Sequence, residues 1–505
     1  MLNNVYGVCG VVGMITSVDL KNYKSFYDEH SIELKPITVL CGRNSSGKSS
    51  ILKSLMLLKQ GCENSSNYGE MLLNGKYIKC GFFRDIISRN KSDMFAVSCK
   101  FCIESPLRQN ENKLIRKTAN VTRYKDLNSI FSTKGINADR YYVKFLVEFG
   151  SCKRNILPNS AQILKYKIEI SDGNKNYEIS ITRCVAGDYG DKDFSKWEIS
   201  TRNFPVLGKA ENLHLKDCSV YYNSMQITSI YVAQDKDNNL SSDKLQDLLP
   251  KIYTLSKVAV GLYSTVRYLG PSRLQPLRHY TADMDSFDGD ISGSYTPISF
   301  VKKMNNKLSL YLPDDSNSVA KRKEKINLNG AIKRWLKYLG GGDFEAGYDD
   351  DIVNLSVDKS NIIDVGYGIS QVFPILLSGL LLKQEECLVV EQPEIHLHPS
   401  MQMQLVDFFI ATMRDRKQII LETHSDHIIN RIIRRVMEDE SKALLENVSI
   451  YYVTRDSASG KSTVEDIELD MVNGIKKAPR DFFSQYASEV DAIITKGFAN
   501  MRQDI

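Results

Sequence analysis

Residues Gly42-Arg43-Asn44-Ser45-Ser46-Gly47-Lys48-Ser49 match the spacing G-x-x-x-x-G-K-[ST]. An apolar run, Ile37-Thr-Val-Leu-Cys41, leads into them and predicts a buried strand. Behind them Ile51, Leu52, Leu55 and Leu58 recur at helical spacing and predict a helix. Glycines let such a loop wrap close to phosphates, and its amides then point inward at a helix N-terminus, which favours anions. In that geometry Lys48 reaches the β- and γ-phosphates, and the Ser49 hydroxyl holds Mg2+. A strand, a phosphate loop and a helix in that order predict a layered α/β domain.

Three later segments are expected to complete the site. Asp364-Val-Gly366-Tyr-Gly368-Ile-Ser370-Gln371 precedes an apolar helical run and offers a second anion-binding helix start. A glycine turn capping that helix explains the same residues. Cys387-Leu-Val-Val-Glu391-Gln392-Pro393-Glu394 is an apolar strand ending in a carboxylate, the place of a metal-water ligand in nucleotide-binding α/β domains. His396 and His398, which follow it, are read as part of a turn in preference to a zinc site, because no third ligand accompanies them. Gln418-Ile-Ile-Leu-Glu-Thr423-His424-Ser425-Asp426-His427 is another apolar strand with a polar end. There His424 can meet a γ-phosphate or water, and Ser425 or Asp426 can cap the next helix.

Composition bounds the rest. The chain has 505 residues, 42% apolar and 25% charged, with a formal charge of +5. That is a globular protein of two to four domains with no strong electrostatic bias toward nucleic acid. No apolar run approaches the roughly 20 residues of a membrane span, and the apolar start of the chain lacks a basic leader. A cytoplasmic protein is expected. The ten cysteines form no framework. Cys99 and Cys102 lack a second pair and are expected to be reduced and buried. Residues 1–90 are expected to form the N-terminal half of the α/β head and 346–470 its C-terminal half, with a tail at 471–505. Residues 91–345 between them read as a mixed, strand-rich insertion. Residues 142–149, 164–170 and 177–182 alternate like antiparallel strands, and 245–268 and 326–339 look helical. No sustained heptads predict a coiled-coil arm.

Together, and in this order, these four segments resemble the ABC-type ATPase heads of the SMC-like and OLD-like families, over residues 14–90 and 350–470. The resemblance implies a mixed sheet flanked by helices, ATP and Mg2+ as cofactors, and a dimer closed around nucleotide or a higher oligomer. Gly42, Arg43, Asn44, Ser45, Ser46, Gly47, Lys48, Ser49 and Ser50 look like the Walker A loop. Gly366, Gly368, Ser370 and Gln371 stand where the signature stands, acting in trans on the partner's nucleotide. Glu391 takes the Walker B place, and His424 that of the switch histidine. The wording from Glu391 to Pro399, the Glu-Thr-His-Ser-Asp-His segment and the tail around Asn473 are narrower. They are similar to bacterial ATPases found beside nucleases in defence and retron operons, the Septu anti-phage ATPase subunit among them.

One departure matters. Gln392 occupies the position of the usual catalytic glutamate. An amide can position water but cannot accept its proton. Either hydrolysis is slow and ATP acts as a clamp, which is the preferred expectation, or Glu394 serves as base. No fused nuclease is recognisable, so an effector would be a separate chain. Asp349, Asp350 and Asp351 read as an exposed acidic turn rather than a metal site. A competing reading is a DNA-repair or chromosome-handling ATPase. It needs a basic face, for which Arg431, Arg434 and Arg435, or Lys321, Arg322, Lys323 and Lys325, are candidates. A transporter subunit is disfavoured by the bulky insertion. Arg273 is expected either near the nucleotide or paired with a carboxylate.

Overall fold

The computed structural model describes residues 14–63, 70–88, 93–104, 119–131, 138–151, 160–184, 196–223, 225–232, 240–273, 276–281, 296–314, 322–349, 352–479 and 482. The readings placed on residues 1–13, Lys321, Asp350, Asp351 and most of the 471–505 tail lie outside them.

The centre is a six-stranded sheet in the order Val266–Leu269, Cys387–Glu391, Gln418–Glu422, Ile37–Cys41, Val448–Arg455, Ser462–Asp466. All neighbours are parallel except the last pair. The expected α/β head is therefore present, and its sheet forms only when the two ends of the chain meet. Three central strands are buried along their whole length, as parallel strands covered on both faces must be. Successive side chains point to opposite faces. Cys387, Val389, Ile420 and Leu40 enter one apolar core, while Leu388, Val390, Ile419, Leu421 and Val39 enter another.

The first core lies under a large antiparallel sheet. Its order runs Gln226–Val232, His214–Asn223, Trp197–Arg202, Asn176–Arg183, Ser160–Ser171, Arg140–Ser151, Met94–Glu104, Ile15–Lys21, His30–Glu33. Helices Lys48–Glu63 and Ser242–Tyr263 pack in the same core. The second core is covered by helices Leu328–Tyr338, Tyr367–Leu381, Pro399–Arg414 and Asp426–Glu438. The expected strands within 142–182 are all present, longer than the alternation alone marked.

Ile15–Lys21 pairs directly with Met94–Glu104, and the strands from Met94–Glu104 to Gln226–Val232 extend a sheet that residues 15–33 begin. The stretch read as helix over 245–268 ends at Tyr263, and Val266–Leu269 is an edge strand of the head sheet. No helix among the described residues is long and apolar enough to cross a membrane.

Candidate functional site

The loop at residues 42–49 follows the Ile37–Cys41 strand and opens the Lys48–Glu63 helix. Two glycines are required by its surroundings. Gly42 has φ +136°, and a Cβ there would lie 2.2 Å from the Val453 carbonyl oxygen. Gly47 has φ +115°, and its Cβ would lie 2.8 Å from Ser462 Oγ. The Val448–Arg455 and Ser462–Asp466 hairpin therefore presses on the loop, and Ser462 Oγ donates to the Ser46 carbonyl at 2.5 Å. Arg43, Asn44 and Ser45 are exposed and Ser50 is half-buried. Lys48 is buried, and its Nζ donates to the Gly42 and Arg43 carbonyls at 2.9 and 2.7 Å. Burial pushes the Lys48 pKa down, against the pull of Glu422, Cys41 and Glu394.

Two carboxylates stand side by side beyond the loop. Glu391 and Glu422 end neighbouring parallel strands and are partners in their register. Glu422 Oε1 accepts from Ser49 Oγ at 2.8 Å. Glu391 Oε1 accepts from the Tyr268 hydroxyl at 2.7 Å, on the other side. Sequence reasoning passed over both Glu422 and Tyr268. The signal for Glu422 was an acid closing an apolar strand, the same feature that singled out Glu391.

Burial, then the charge of Glu391, push Glu422 up to about 7, while Ser49, Lys48 and Lys53 pull it down. Burial also raises Glu391, opposed by Tyr268, Lys53 and Lys24. A carboxyl raised on folding binds more protons folded than unfolded, so its contribution to stability falls as pH rises from the ordinary value of 4.5 to about 7. Glu422→Gln removes that term. The nucleotide-free variant in EDTA is expected to be more stable than wild type by about 1–3 kcal/mol at about pH 8, with the gap closing toward about pH 5. Thermal melts at the two pH values measure this, and a gap independent of pH would refute the assignment.

The turn after Glu391 is fixed by its backbone. Gln392 has φ +45°, and its N–H donates to the Glu422 carbonyl at 2.7 Å. Arg273 is buried, with Nη2 donating to the Glu391 carbonyl at 3.0 Å and Nη1 to the Gln392 carbonyl at 3.5 Å. Its partners are thus main-chain oxygens at the site, with the Glu394 charge nearby. Desolvation lowers Arg273 to about 10. Glu394 Oε1 accepts the His424 N–H at 2.7 Å, which ties this turn to the segment that follows the Gln418–Glu422 strand. The His424 side chain is exposed and lies against the Gly42 backbone. Burial and then Lys48 lower its pKa, while that backbone raises it. Four buried atoms around the loop have no partner: Ser46 Oγ, Arg273 Nε, Glu394 Oε2 and Glu422 Oε2. Unsatisfied polar atoms at one place in a packed interior mark where a polar ligand belongs. Hydroxyl and carboxylate oxygens beside a lysine suit Mg2+ bound with phosphates.

Residues 366–371 stand apart. Among the described residues no hydrogen bond or ion pair links them to residues 42–50. Ser370 Oγ donates to the Tyr367 carbonyl at 2.7 Å, and Ser370 and Gln371 are buried. Gly366 and Tyr367 are exposed and Gly368 is half-buried, so the backbone start of the Tyr367–Leu381 helix faces outward. Arg278 pairs with Asp364 at 2.9 Å and braces the loop.

Several other residues singled out in the sequence have structural partners. His398 caps the Pro399–Arg414 helix by accepting from the Ser400 N–H, and exposed His396 packs against Tyr367. Ser425 caps the Asp426–Glu438 helix through the Ile428 N–H. No cluster of three or more metal-ligating side chains occurs among the described residues. Cys99 and Cys102 are free and buried. Arg431 and Arg435 are spent on Asp407, which is fully buried and accepts from them at 2.6 and 2.7 Å and from the Tyr338 hydroxyl at 2.6 Å. Lys323 pairs with Asp415. Of the two basic runs, Arg431 and Arg435 are therefore turned to a buried carboxylate and Lys323 to Asp415.

A family model described as an AAA ATPase domain matches residues 14–429. No curated protein matches the chain. Solved structures that resemble it include an Smc head bound to the C-winged helix domain of ScpA (12% identity, TM-score 0.40, covering 90% of this chain and 98% of that one). Another is the SMC head domain from Thermotoga maritima (11%, 0.36, 90% and 100%). A third is an Smc head with an extended coiled coil bound to the C-terminal domain of ScpA, derived from Pyrococcus furiosus (11%, 0.40, 90% and 96%).

Proposed function

The chain belongs to the AAA ATPase domain family, and from that premise we propose that it is a slowly hydrolysing, ATP-switched clamp. Two copies close around ATP and Mg2+ and thereby control a separate effector, a nuclease in bacterial anti-phage defence. The observation that carries the reading is the convergence of Lys48, Ser49, Glu391, Gln392, Glu394, Glu422 and His424 at one end of the parallel strands, with four buried polar atoms left unpartnered. Ligands of open parallel sheets bind at that end.

Mg2+ would neutralise phosphate charge there. The chain's own residues do the rest. Lys48 leaves the Gly42 and Arg43 carbonyls to meet the phosphates. The loop amides hold the anion. Gln392 orients water without taking its proton. His424, joined to Glu394 through its N–H, reports the γ-phosphate to the second strand end. The helix start at Gly366 and Tyr367 is exposed and unconnected to its own loop, which suits it to cover a second copy's nucleotide. Exposed Leu277, Ile363 and Tyr367 supply apolar surface around it. The defence assignment rests on the sequence wording from Glu391 to Pro399, and the pairing of Arg431 and Arg435 with Asp407 weighs against a DNA-binding face.

Tyr367→Asp tests the sandwich. The residue is exposed, so its replacement leaves the fold intact, yet it sets a negative charge against the partner's nucleotide. ATP and Mg2+ are expected to double the mass of wild type in sedimentation but not of the variant. The variant's affinity for a fluorescent ATP analogue should stay within about threefold of wild type. Normal mass doubling by Tyr367→Asp would refute closure through this loop.

A further inference from the structure

We propose that Glu422, on the strand between the phosphate loop and Glu391, is the carboxylate that holds the divalent cation together with Ser49. The proposal rests on the nucleotide reading above and deepens it, since the sequence pattern pointed to Glu391.

Strand order decides which acid reaches the loop. Gln418–Glu422 lies between Ile37–Cys41 and Cys387–Glu391. Glu422 is registered against Leu40 on one side and Glu391 on the other. It therefore stands one strand nearer to Ser49. The contacts agree. Ser49 Oγ gives its proton to Glu422 Oε1 at 2.8 Å, which leaves the hydroxyl lone pairs free to face a cation. Glu391 Oε1 is instead engaged by Tyr268, on the Val266–Leu269 edge strand.

A second observation points to a ligand. Glu422 is only 3% exposed, yet its Oε2 has no partner. A buried carboxylate oxygen left unpaired is costly unless something arrives to use it. The Glu422 backbone is also held, because its carbonyl accepts the Gln392 N–H at 2.7 Å. One hydroxyl and one carboxylate, completed by phosphate oxygens and water, match the way Mg2+ is bound in phosphoryl-transfer sites.

The test compares affinity for a fluorescent ATP analogue in Mg2+ and in EDTA, with Mn2+ paramagnetic resonance on the same samples. Wild type should bind more tightly in Mg2+. Glu422→Gln should lose about tenfold or more of that tightening, while its affinity in EDTA stays at the wild-type level, which also shows that the variant is folded. Glu391→Gln should lose less of the tightening than Glu422→Gln. The bound-Mn2+ signal should vanish in Glu422→Gln and fall by less in Glu391→Gln. If Glu422→Gln keeps the tightening, or loses no more of it than Glu391→Gln, the proposal is overturned and the nucleotide reading survives. Wild type that binds no nucleotide in either buffer overturns both.

Discussion

Lys48→Ala is expected to lose ATP binding altogether at working concentrations. Lys48 Nζ already holds two carbonyl oxygens of its own loop, those of Gly42 and Arg43. The site thus keeps a buried ammonium in place, donating to oxygen, at the point where phosphate oxygens would arrive. A hydrogen bond to a charged group contributes about 1.5–3 kcal/mol. Two such bonds to phosphate correspond to a loss of about 100-fold or more in affinity. The substitution also removes a cation that opposes the raised carboxyl of Glu422, so the pocket becomes more negative as well as emptier. Titration with a fluorescent ATP analogue, ATP turnover and the nucleotide-dependent mass should all fall together. A melting curve showing the folded state ensures that binding is what has changed. Affinity within about threefold of wild type would end the phosphate-loop assignment, whatever else the fold resembles.

Parts of this site were legible in the sequence for physical reasons, and parts were not. The loop was legible because a glycine pattern between an apolar strand and an amphipathic helix is local information. Glu391 was legible for the same reason. Glu422 ends an equally apolar strand, but its importance depends on lying between Ile37–Cys41 and Cys387–Glu391, and strand order is a tertiary property. The role of Ser462, which closes over Ser46 and leaves no room for a side chain at Gly47, likewise comes from a distant hairpin. The antiparallel strands within 142–182 could be read by their alternation. Val266–Leu269 could not, because four apolar-rich residues directly after a long amphipathic helix continue its pattern. Likewise, nothing local announces that Ile15–Lys21 pairs with Met94–Glu104.

Gln392→Glu is expected to raise ATP turnover by about 10- to 100-fold with KM changed by less than about threefold, because a positioned general base contributes about 100-fold or more. The backbone makes this a clean substitution. The Gln392 N–H is held by the Glu422 carbonyl, its own carbonyl is within reach of Arg273, and its φ of +45° is set by the turn. A glutamate of nearly the same shape inherits that placement and adds what the amide lacks, an oxygen that can take a proton. It also adds a third carboxylate next to Glu391 and Glu422, so the acid limb of the turnover profile should move to higher pH. Glu394 is the rival. Its Oε1 is committed to the His424 N–H, but its Oε2 is buried and unpartnered. If Glu394 is the base, Gln392→Glu will give no gain and Glu394→Gln will abolish turnover, with ATP binding retained. If Glu394 only links the turn to the switch segment, Glu394→Gln still accepts the His424 N–H through its amide oxygen and turns over at close to the wild-type rate. The two variants measured side by side across pH therefore tell a slow clamp awaiting a base from an enzyme whose base sits two residues further along the chain.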